Sequence, residues 1–263
     1  MSDDVWGLGE YERVAERLYE VAEVVVDAAD VVAGQRVLDV AAGTGNVSAV
    51  AARRGATVTA TDLSPRMVEL GAARTEGLVV RWSQADAQDL PFEDGDFDTA
   101  LSVFGAMFAP DQPRAAAELV RVVRPGGVVA MTAWVPEGPQ AGAMAVMAAQ
   151  FPDRPPMMNE WGRPDVARAH FEAAGATDVM IERRHTHWEF ADRQAWLDFV
   201  ERGPGPMVAA QNTLGDRWPA VREEMLARAL SPSKEFVQVK AAAFGAESGM
   251  IGASLLAREA LAP

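Results

Sequence analysis

Hydrophobic and polar positions follow two different periods along the chain, and the switches between them delimit the predicted elements. From Tyr11 to Ala29 apolar residues recur every three or four positions, with acids and arginines between them, and Gly34 follows as a stop signal. This spacing predicts an amphipathic helix. Beyond Gly34, short apolar runs typical of buried strands alternate with alanine-rich or amphipathic stretches typical of helices.

The first half of the chain repeats a strand–helix unit. Its apolar runs predict strands at Arg36–Val40, Thr57–Thr61, Val79–Trp82, Asp98–Val103 and Val128–Trp134. The helices predicted between them cover Asn46–Arg54, Ser64–Arg74 and Gln112–Arg124. Val37, Val58 and Val79 lie 21 residues apart, a rhythm typical of parallel strands joined by crossover helices. The pattern predicts an α/β fold with a doubly wound, mostly parallel sheet.

Beyond Trp134 the composition shifts to Ala, Met, Trp and Pro. Helices are predicted at 141–149, Pro164–Ala174, Asp192–Arg202, Val208–Gln211 and Pro219–Leu230, and a long β-type stretch at Asp178–Phe190. The periodicity of residues 249–258 fits a strand or a helix, and we favour an antiparallel edge strand. We therefore expect one compact domain with four parts: a helical lid at 1–30, the core at 31–191, a helical insertion over the substrate at 192–248, and an edge strand at 249–263.

Charge narrows the possible partners. Thirty-eight acids against 24 bases give a net charge of -14, and such a surface repels phosphate backbones and anionic lipids. Uncharged stretches such as Thr99–Pro110 are shorter than the ~20 apolar residues that span a bilayer. We expect a small-molecule substrate, with neither nucleic acid binding nor membrane insertion.

The sequence contains no cysteine, which excludes disulfides, a thiolate nucleophile and thiolate-bound metals. The first residues, Met1 to Asp4, lack the basic and apolar regions of a secretory signal. Both observations favour a cytoplasmic protein. The three histidines have no carboxylate motif near them, and no metal site is expected.

The residues that follow each predicted strand are the candidate site, because ligands of open parallel sheets bind outside the carboxyl ends of the strands. The first strand leads into Asp39-Val-Ala-Ala-Gly-Thr-Gly-Asn46, in which glycines permit a tight turn and a close approach of the backbone to a ligand. A helix that begins near Asn46 offers free N–H groups to an anionic group. Asp62, 17 residues beyond Gly45, is placed to accept both hydroxyls of a ribose.

Two cofactors compete for this pattern. A dinucleotide usually requires G-x-G-x-x-G/A, but Ser48 stands at the last position, and the Tyr-x-x-x-Lys pair of many nicotinamide enzymes is absent. S-adenosylmethionine has a zwitterionic amino-acid end, which needs an acceptor near its ammonium group. Asp39 is placed to be that acceptor or to orient the loop.

Several motifs occur together in the order found in one family. They are Asp39-Val-Ala-Ala-Gly-Thr-Gly, Thr61-Asp-Leu-Ser-Pro-Arg-Met67, Ala85-Asp86-Ala87, Leu90-Pro91-Phe92 and Leu119-Val-Arg-Val-Val-Arg-Pro-Gly-Gly127. With them, Arg36 to Trp134 resembles the class I S-adenosylmethionine-dependent methyltransferases, in particular the small-molecule group that includes the ubiquinone and menaquinone methyltransferases. The resemblance implies a Rossmann-like fold with a mostly parallel seven-stranded sheet and the cofactor S-adenosyl-L-methionine.

The resemblance also implies roles for individual residues. Those expected at the cofactor are Asp39, Ala41, Gly43 and Gly45 at its methionine part, Asp62 at the ribose, Leu63 and Met67 beside the adenine, Asp86 and Ala87 at the adenine's polar edge, and Ser102 and Phe104 below the sulfonium. Ala41 departs from the glycine that the family often has. Base and amide methyltransferases of the family carry an Asn/Asp-Pro-Pro-aromatic tetrad where this chain has Ser102-Val-Phe-Gly105, which disfavours those substrates.

The expected reaction is methyl transfer by in-line displacement to a small, largely apolar acceptor, a quinol precursor or a secondary metabolite. No residue is assigned as catalytic, although His185 and His187 share a strand face and are candidates for a base. Tyr11, on the leading helix, is a candidate lid contact. Two alternatives remain: a protein of this fold that binds S-adenosylmethionine without methyl transfer, as a cyclase or binding module, and an NAD(P)-dependent oxidoreductase.

Overall fold

The computed structural model describes residues 4–136, 145–152, 160–228 and 233–243 of the chain. Within these ranges seven strands form one sheet: β1 (Arg36–Val40), β2 (Thr57–Asp62), β3 (Val80–Gln84), β4 (Phe97–Val103), β5 (Val123–Trp134), β6 (Ala176–His187) and β7 (Ser233–Ala243). Their order in the sheet is β3-β2-β1-β4-β5-β7-β6. The strands from β3 to β5 pair in parallel, whereas β7 runs antiparallel to both of its neighbours. The predicted α/β fold with a mostly parallel sheet is confirmed.

The helices in the described ranges are α1 (Tyr11–Ala28), α2 (Asn46–Arg53), α3 (Pro65–Arg74), α4 (Gln112–Arg121), α5 (Pro164–Ala173), α6 (Arg193–Arg202), α7 (Gly205–Leu214) and α8 (Trp218–Arg228). Single 3₁₀ turns occur at Ala106–Phe108, Glu160–Gly162 and Gly215–Arg217, and residues 145–149 are also helical. Among these helices, none combines the length and the apolarity that crossing a bilayer requires.

Side-chain caps fix where several helices begin. Ser64 Oγ accepts a hydrogen bond from the Met67 backbone N–H at 3.1 Å, and Pro65 is the first helical residue of α3. Asp192 caps α6 in the same way, because its carboxylate accepts from the Ala195 N–H at 2.8 Å. Such caps satisfy N–H groups that have no partner inside the helix. The Ser64-Pro65 start was predicted from the sequence on these grounds.

The strand register follows the predicted rhythm with a shift of one residue. Val37 pairs with Val58 on the next strand, but Val58 pairs with Val80 rather than Val79. Strand order reverses between β1 and β4, and right-handed crossovers on either side of that point place helices on both faces of the sheet. The doubly wound arrangement therefore opens a crevice at the carboxyl ends of β1 and β4.

Helix α1 is part of the main core. Its Ala22, Val25 and Val26 are fully buried, as are Val37 and Leu38 of β1, and all five belong to one hydrophobic cluster. Burying one Val or Leu side chain contributes about 1.5–3 kcal/mol. This helix is consequently anchored along its length, and its first two turns lie beside the carboxyl edge of the sheet.

An antiparallel strand occurs where we expected helix from the sequence. Strand β7 is formed by Ser233–Ala243, inside the stretch 192–248 that we expected to be a helical insertion. It lies between β5 and β6 in the sheet. The predicted edge strand at 249–258 lies outside the described residues, as do 141–144 of the predicted helix 141–149.

The predicted helix end at Arg124 and strand start at Val128 are wrong in detail. Helix α4 ends at Arg121, and β5 begins at Val123 and continues through the glycines. Phe97 pairs with Val123 and Thr99 with Val128, so the register shifts between the two pairs. A bulge of this kind absorbs extra residues without ending the strand.

A second, smaller core lies in the helices after β6. It contains buried residues of the segment 145–149 and of α7 and α8: Val146, Met147, Met207, Ala210, Leu214, Val221 and Met225. Val200 of α6 packs against this cluster and against the main core. Helices α6, α7 and α8 thus form a cover with its own hydrophobic interior.

Candidate active site

Side chains and loops converge where strand order reverses, at the carboxyl ends of β1, β2 and β4. The loop after β1, residues 41–45, lies beside the loop after β4. A Cβ added at Gly105 would come within 2.4 Å of the Ala41 carbonyl oxygen. Only a glycine permits this approach, and the two loops therefore pack backbone to backbone.

The loop after β1 turns through residues with positive φ. Ala41, Gly43 and Gly45 have φ values of +54°, +56° and +83°. The Gly45 N–H donates to the Ala42 carbonyl oxygen at 2.9 Å, and the Ala42 N–H donates to Thr61 at 2.9 Å. These hydrogen bonds hold the loop against β2. The positive φ of Ala41 costs an alanine more conformational free energy than it would cost a glycine, the residue that the family named in the sequence analysis often has at this position.

Asp62, the last residue of β2, ties this loop to the start of α3. Its Oδ2 accepts from the Gly43 N–H at 2.8 Å, and its Oδ1 accepts from the Ser64 N–H at 2.9 Å. The side chain is buried, and burial raises its pKa despite these two hydrogen bonds. Each carboxylate oxygen has a second lone pair, so the carboxylate can still accept donors from a ligand.

Asp39 lies under the same loop and is 1% exposed. Its Oδ2 accepts from the backbone N–H of Ser48 at 2.9 Å and from the Ser48 hydroxyl at 2.6 Å. Burial raises the pKa of Asp39 to about 7, although the Ser48 hydrogen bonds oppose this shift. A cationic group placed beside this carboxylate would be attracted to it in a medium of low dielectric constant.

The first turn of α1 covers the loop. A Cβ at Gly43 would lie 3.0 Å from Cε1 of Tyr11, which places the ring directly against the glycine. Burial, together with the negative charge of Asp62, raises the pKa of the Tyr11 phenol. Tyr11 therefore contacts the loop, and its role as a lid residue stays a prediction.

The segment before α1, residues 4–10, runs across the same edge, and we call it the strap. Asp4 accepts hydrogen bonds from the Ser64 hydroxyl and from the Gly7 N–H, both at 2.8 Å. At its other end, the Glu10 N–H donates to the Arg202 carbonyl oxygen at 2.7 Å, and the two side chains form an ion pair. The strap thus links the Asp62 region to the helical cover.

The remaining predicted residues lie on both sides of this centre. Leu63 is 54% exposed, whereas Met67 on α3 is buried. Asp86 and Ala87 follow β3 and are half-buried, and Asp86 accepts a hydrogen bond from the Gln88 N–H at 2.9 Å. Leu63 and Asp86 lie at the carboxyl ends of adjacent strands, which leaves an open edge beside Asp62.

Ser102 and Phe104 lie at the end of β4. The Ser102 hydroxyl donates to the Val40 carbonyl oxygen at 2.8 Å and accepts from the Ala106 N–H at 2.9 Å. Phe104 has a φ of +53° and stacks on Trp134, with 3.7 Å between ring centroids and 8° between planes. Ser102 therefore braces the loop through its hydrogen bonds, and Phe104 forms an aromatic floor with Trp134.

Comparison with known proteins agrees with this geometry. Residues 38–131 match the family described as "Methyltransferase domain". A Mycobacterium bovis protein named as uncharacterised is 39% identical over 220 residues, which cover 81% of this chain and 80% of the relative. The demethylmenaquinone methyltransferase of Clavibacter sepedonicus is 46% identical over 97 residues, which cover 36% of this chain and 40% of that enzyme.

One solved structure with this fold is phosphoethanolamine N-methyltransferase 2 of Haemonchus contortus, in complex with S-adenosyl-L-methionine. It has a TM-score of 0.60 and 15% identity, and the match covers 86% of this chain and 53% of that chain. This chain belongs to the class I S-adenosylmethionine-dependent methyltransferases. It is an S-adenosylmethionine-dependent methyltransferase, as the sequence motifs predicted.

The hydrogen-bond acceptors at the site of this methyltransferase fit S-adenosyl-L-methionine, the cofactor of the family. Asp39 and Asp62 are buried carboxylates at the two ends of the loop, suited to an ammonium group and to ribose hydroxyls respectively. The same site does not suit the nicotinamide alternative. Ser48, which interrupts the dinucleotide fingerprint, uses its hydroxyl to hold Asp39.

Sequence reasoning missed three residues that shape the methyltransferase site. Ser48 was noted only as a departure from a dinucleotide motif, although a hydroxyl in the first turn after a glycine loop is a recognisable partner for the strand carboxylate. The Trp82 ring packs behind the loop, where it would lie 2.8 Å from a Cβ at Gly45. The amide of Asn46 donates to the Ala15 carbonyl oxygen at 2.6 Å, and no sequence pattern signalled that contact.

The histidines are distributed away from the loop. His170 on α5 packs edge-on against Trp161, with ring centroids 5.1 Å apart. His185 lies exposed on β6, the outermost strand, and of His187 only the backbone is described. A role for either as a base stays a prediction. In the ranges with described side chains, no group of three or more His, Asp or Glu could hold a metal ion.

Proposed function

We propose that this methyltransferase transfers a methyl group from S-adenosylmethionine to a small, largely apolar acceptor in the cytoplasm, with a quinol precursor or a related secondary metabolite as the leading type. The observation that carries the proposal is the stacked pair Phe104–Trp134 at the carboxyl edge of the sheet. It lies at the carboxyl ends of β4 and β5, beside the cofactor loop, where the acceptor must meet the methyl group.

The cofactor is assigned to the residues predicted from the sequence. Asp39, Ala41, Gly43 and Gly45 hold the amino-acid end, Asp62 accepts from the ribose hydroxyls, Leu63 and Met67 flank the adenine, and Asp86 and Ala87 meet its polar edge. Two observations support this assignment: Asp62 is hydrogen-bonded to the Gly43 N–H, and Leu63 is exposed beside it. Ser102 acts by holding the β4 loop against Val40, and Phe104 lies under the reacting centre.

An aromatic row extends from this floor toward the cover. Trp134 meets Trp188 edge-on at 6.0 Å, and Trp188 meets Phe199 of α6 edge-on at 5.4 Å. Strands β5 and β6 are both antiparallel to β7, so Trp134 and Trp188 lie at the same edge of the sheet. A planar apolar acceptor matches such a wall, because aromatic rings favour stacked and edge-to-face contacts.

Positioning is the main catalytic device in this proposal. When bound, S-adenosylmethionine supplies a methyl group that is already reactive. The chain aligns the acceptor on the far side of that methyl group and excludes water, and such alignment can contribute up to about 7–11 kcal/mol. The strap, the first turn of α1 and the helical cover close the edge at which the reaction takes place.

Charge supports a small acceptor over a nucleic acid. The net charge is -14, and a phosphate backbone needs a lysine and arginine footprint to release its counterions. The residues after β4 are Ser102-Val-Phe-Gly105, without the tetrad that the family's base and amide methyltransferases use. A small acceptor that needs no such tetrad is consistent with both features.

The acceptor class is tested by incubating the full chain with S-adenosylmethionine and a panel of acceptors, and measuring S-adenosylhomocysteine by mass spectrometry. The panel contains naphthohydroquinones, catechols, aliphatic amines, a glutamine peptide and RNA. We expect product with the planar hydroquinones or catechols. Turnover confined to the amines, the peptide or RNA would contradict the proposed acceptor class.

A further inference from the structure

A small cavity lies between the first two turns of α1 and the first turn of α2. Its volume is about 20 Å³, and its lining includes Tyr11, Ala15, Asp39, Thr44 and Asn46. A space of this size holds one water molecule or another group of similar size. It adjoins Ala41 and Ala42 of the loop, where the amino-acid end of the cofactor is placed by the proposed function.

Asn46 contributes a polar atom to this region that lacks a partner. Its Nδ2 donates to the Ala15 carbonyl oxygen at 2.6 Å, which fixes the orientation of the amide. Its Oδ1 is buried and accepts no hydrogen bond from any residue that the structure describes. Buried polar atoms of this kind are rare, and each calls for a specific explanation.

The second polar group in the cavity wall is the carboxylate of Asp39. Both hydrogen bonds from Ser48 reach Oδ2, and no donor in the described part of the chain is bonded to Oδ1. Asp39 and Asn46 thus offer two acceptor atoms at one small cavity. A single ammonium group has three N–H donors and a positive charge, which satisfies both acceptors and compensates the carboxylate.

We propose that Asn46 Oδ1 accepts a hydrogen bond from the α-ammonium group of S-adenosylmethionine, beside the carboxylate of Asp39. This inference rests on the proposed placement of the cofactor. Asn46 is then a binding residue for the amino-acid end, and its Nδ2 contact with Ala15 joins the occupied site to the helix that covers it.

Calorimetry with two ligands tests the role of Asn46 without turnover. Wild type and Asn46→Ala are titrated as full chains with S-adenosylhomocysteine and with its analogue that lacks the α-amino group. We expect Asn46→Ala to weaken S-adenosylhomocysteine binding about tenfold and to change binding of the deaminated analogue less than twofold. Asn212→Ala, an exposed asparagine on α7, is the matched control and should change neither.

Other outcomes separate this inference from the proposed function. Equal weakening of both ligands would mean that Asn46 only anchors α1 through Ala15, and would overturn the inference, as would an unchanged affinity for S-adenosylhomocysteine. If Asn46→Ala does not fold, as judged by thermal unfolding, Asn46→Ser is compared on the same two ligands. Absence of binding by the wild type would contradict the proposed function itself.

Discussion

The backbone N–H of Gly43 donates a hydrogen bond to Asp62 Oδ2 at 2.8 Å, joining the loop after β1 to the end of β2. This bond sets the shape of the loop before any ligand binds, because the same carboxylate also holds the Ser64 N–H at the start of α3. The conformation of this loop therefore depends on one side chain, and the proposed function assigns the same side chain to the ribose of the cofactor.

Replacement of Asp62 should reduce cofactor affinity, and the loss should be larger when both side-chain oxygens are removed than when only one is. Each hydrogen bond to a charged group contributes about 1.5–3 kcal/mol, so we expect Asp62→Asn to weaken S-adenosylhomocysteine binding about tenfold and Asp62→Ala about a hundredfold or more. Calorimetry measures both values. Asp89→Ala, which removes an exposed carboxylate from the loop after β3, should have little effect, and unchanged affinity in Asp62→Ala would argue against the ribose assignment.

The buried carboxylate of Asp39 should make stability depend on pH. Burial raises its pKa to about 7, so the folded protein retains a proton that the unfolded chain, with a pKa of about 3.9, has released. The free energy of unfolding should therefore fall as pH rises from about 4 to about 7, and level off above. Urea unfolding of the unliganded chain between pH 5.5 and 8.5 measures this slope.

The Asp39→Asn variant is the control for that experiment. It lacks the titrating group, so its stability should depend less on pH, and its stability relative to the wild type should rise as pH increases toward 8. The same variant should bind S-adenosylmethionine more weakly. Identical slopes for the two proteins would show that Asp39 does not titrate in this range.

A methyl group at Gly43 should strain the backbone of the loop and press against the Tyr11 ring that lies over it. Gly43 has a φ of +56°, and a Cβ there would lie 3.0 Å from the Tyr11 ring. We expect Gly43→Ala to lower the free energy of unfolding by about 1–2 kcal/mol, and to weaken cofactor binding at least tenfold. Gly77→Ala is the matched control, since Gly77 also has a positive φ but no atom within 4 Å of an added Cβ; it should lose stability and keep its affinity.

Trp134, the half of the aromatic floor that is not assigned to the cofactor, should matter for the acceptor. We expect Trp134→Leu to lower kcat/KM for an apolar acceptor about tenfold or more, because it removes the stacking partner of Phe104, while the Kd of S-adenosylhomocysteine changes less than twofold. Trp196→Leu, in α6, is the comparison variant. A loss of cofactor affinity equal to the loss of kcat/KM would place Trp134 at the cofactor instead.

Local signals in the sequence were sufficient for the parallel half of the fold. Strands β1 and β2 are short segments rich in Val and Thr, and the loop between β1 and α2 contains glycines at positions that the structure holds at positive φ. These features depend on neighbouring residues alone, so the cofactor loop and the Asp62 position were predictable. Fold and family were both confirmed.

Strand β7 shows where local signals fail. Its sequence, Ser233-Lys-Glu-Phe-Val-Gln-Val-Lys-Ala-Ala-Ala243, combines charged residues and an alanine run that are compatible with a helix. Its pairing with β5 and β6 joins segments distant in sequence, and only that long-range contact selects the strand. The hydrogen bonds of Ser48 and Asn46 were missed for a similar reason, because each depends on how two elements pack.

A crystal structure of the full chain with S-adenosylhomocysteine locates the bound nucleoside directly. We expect both ribose hydroxyls within hydrogen-bonding distance of the Asp62 carboxylate, with the amino-acid end between Asp39 and the 41–45 loop. Density for the ligand at any other place, or contact of Asp62 with no part of the ribose, would contradict the account.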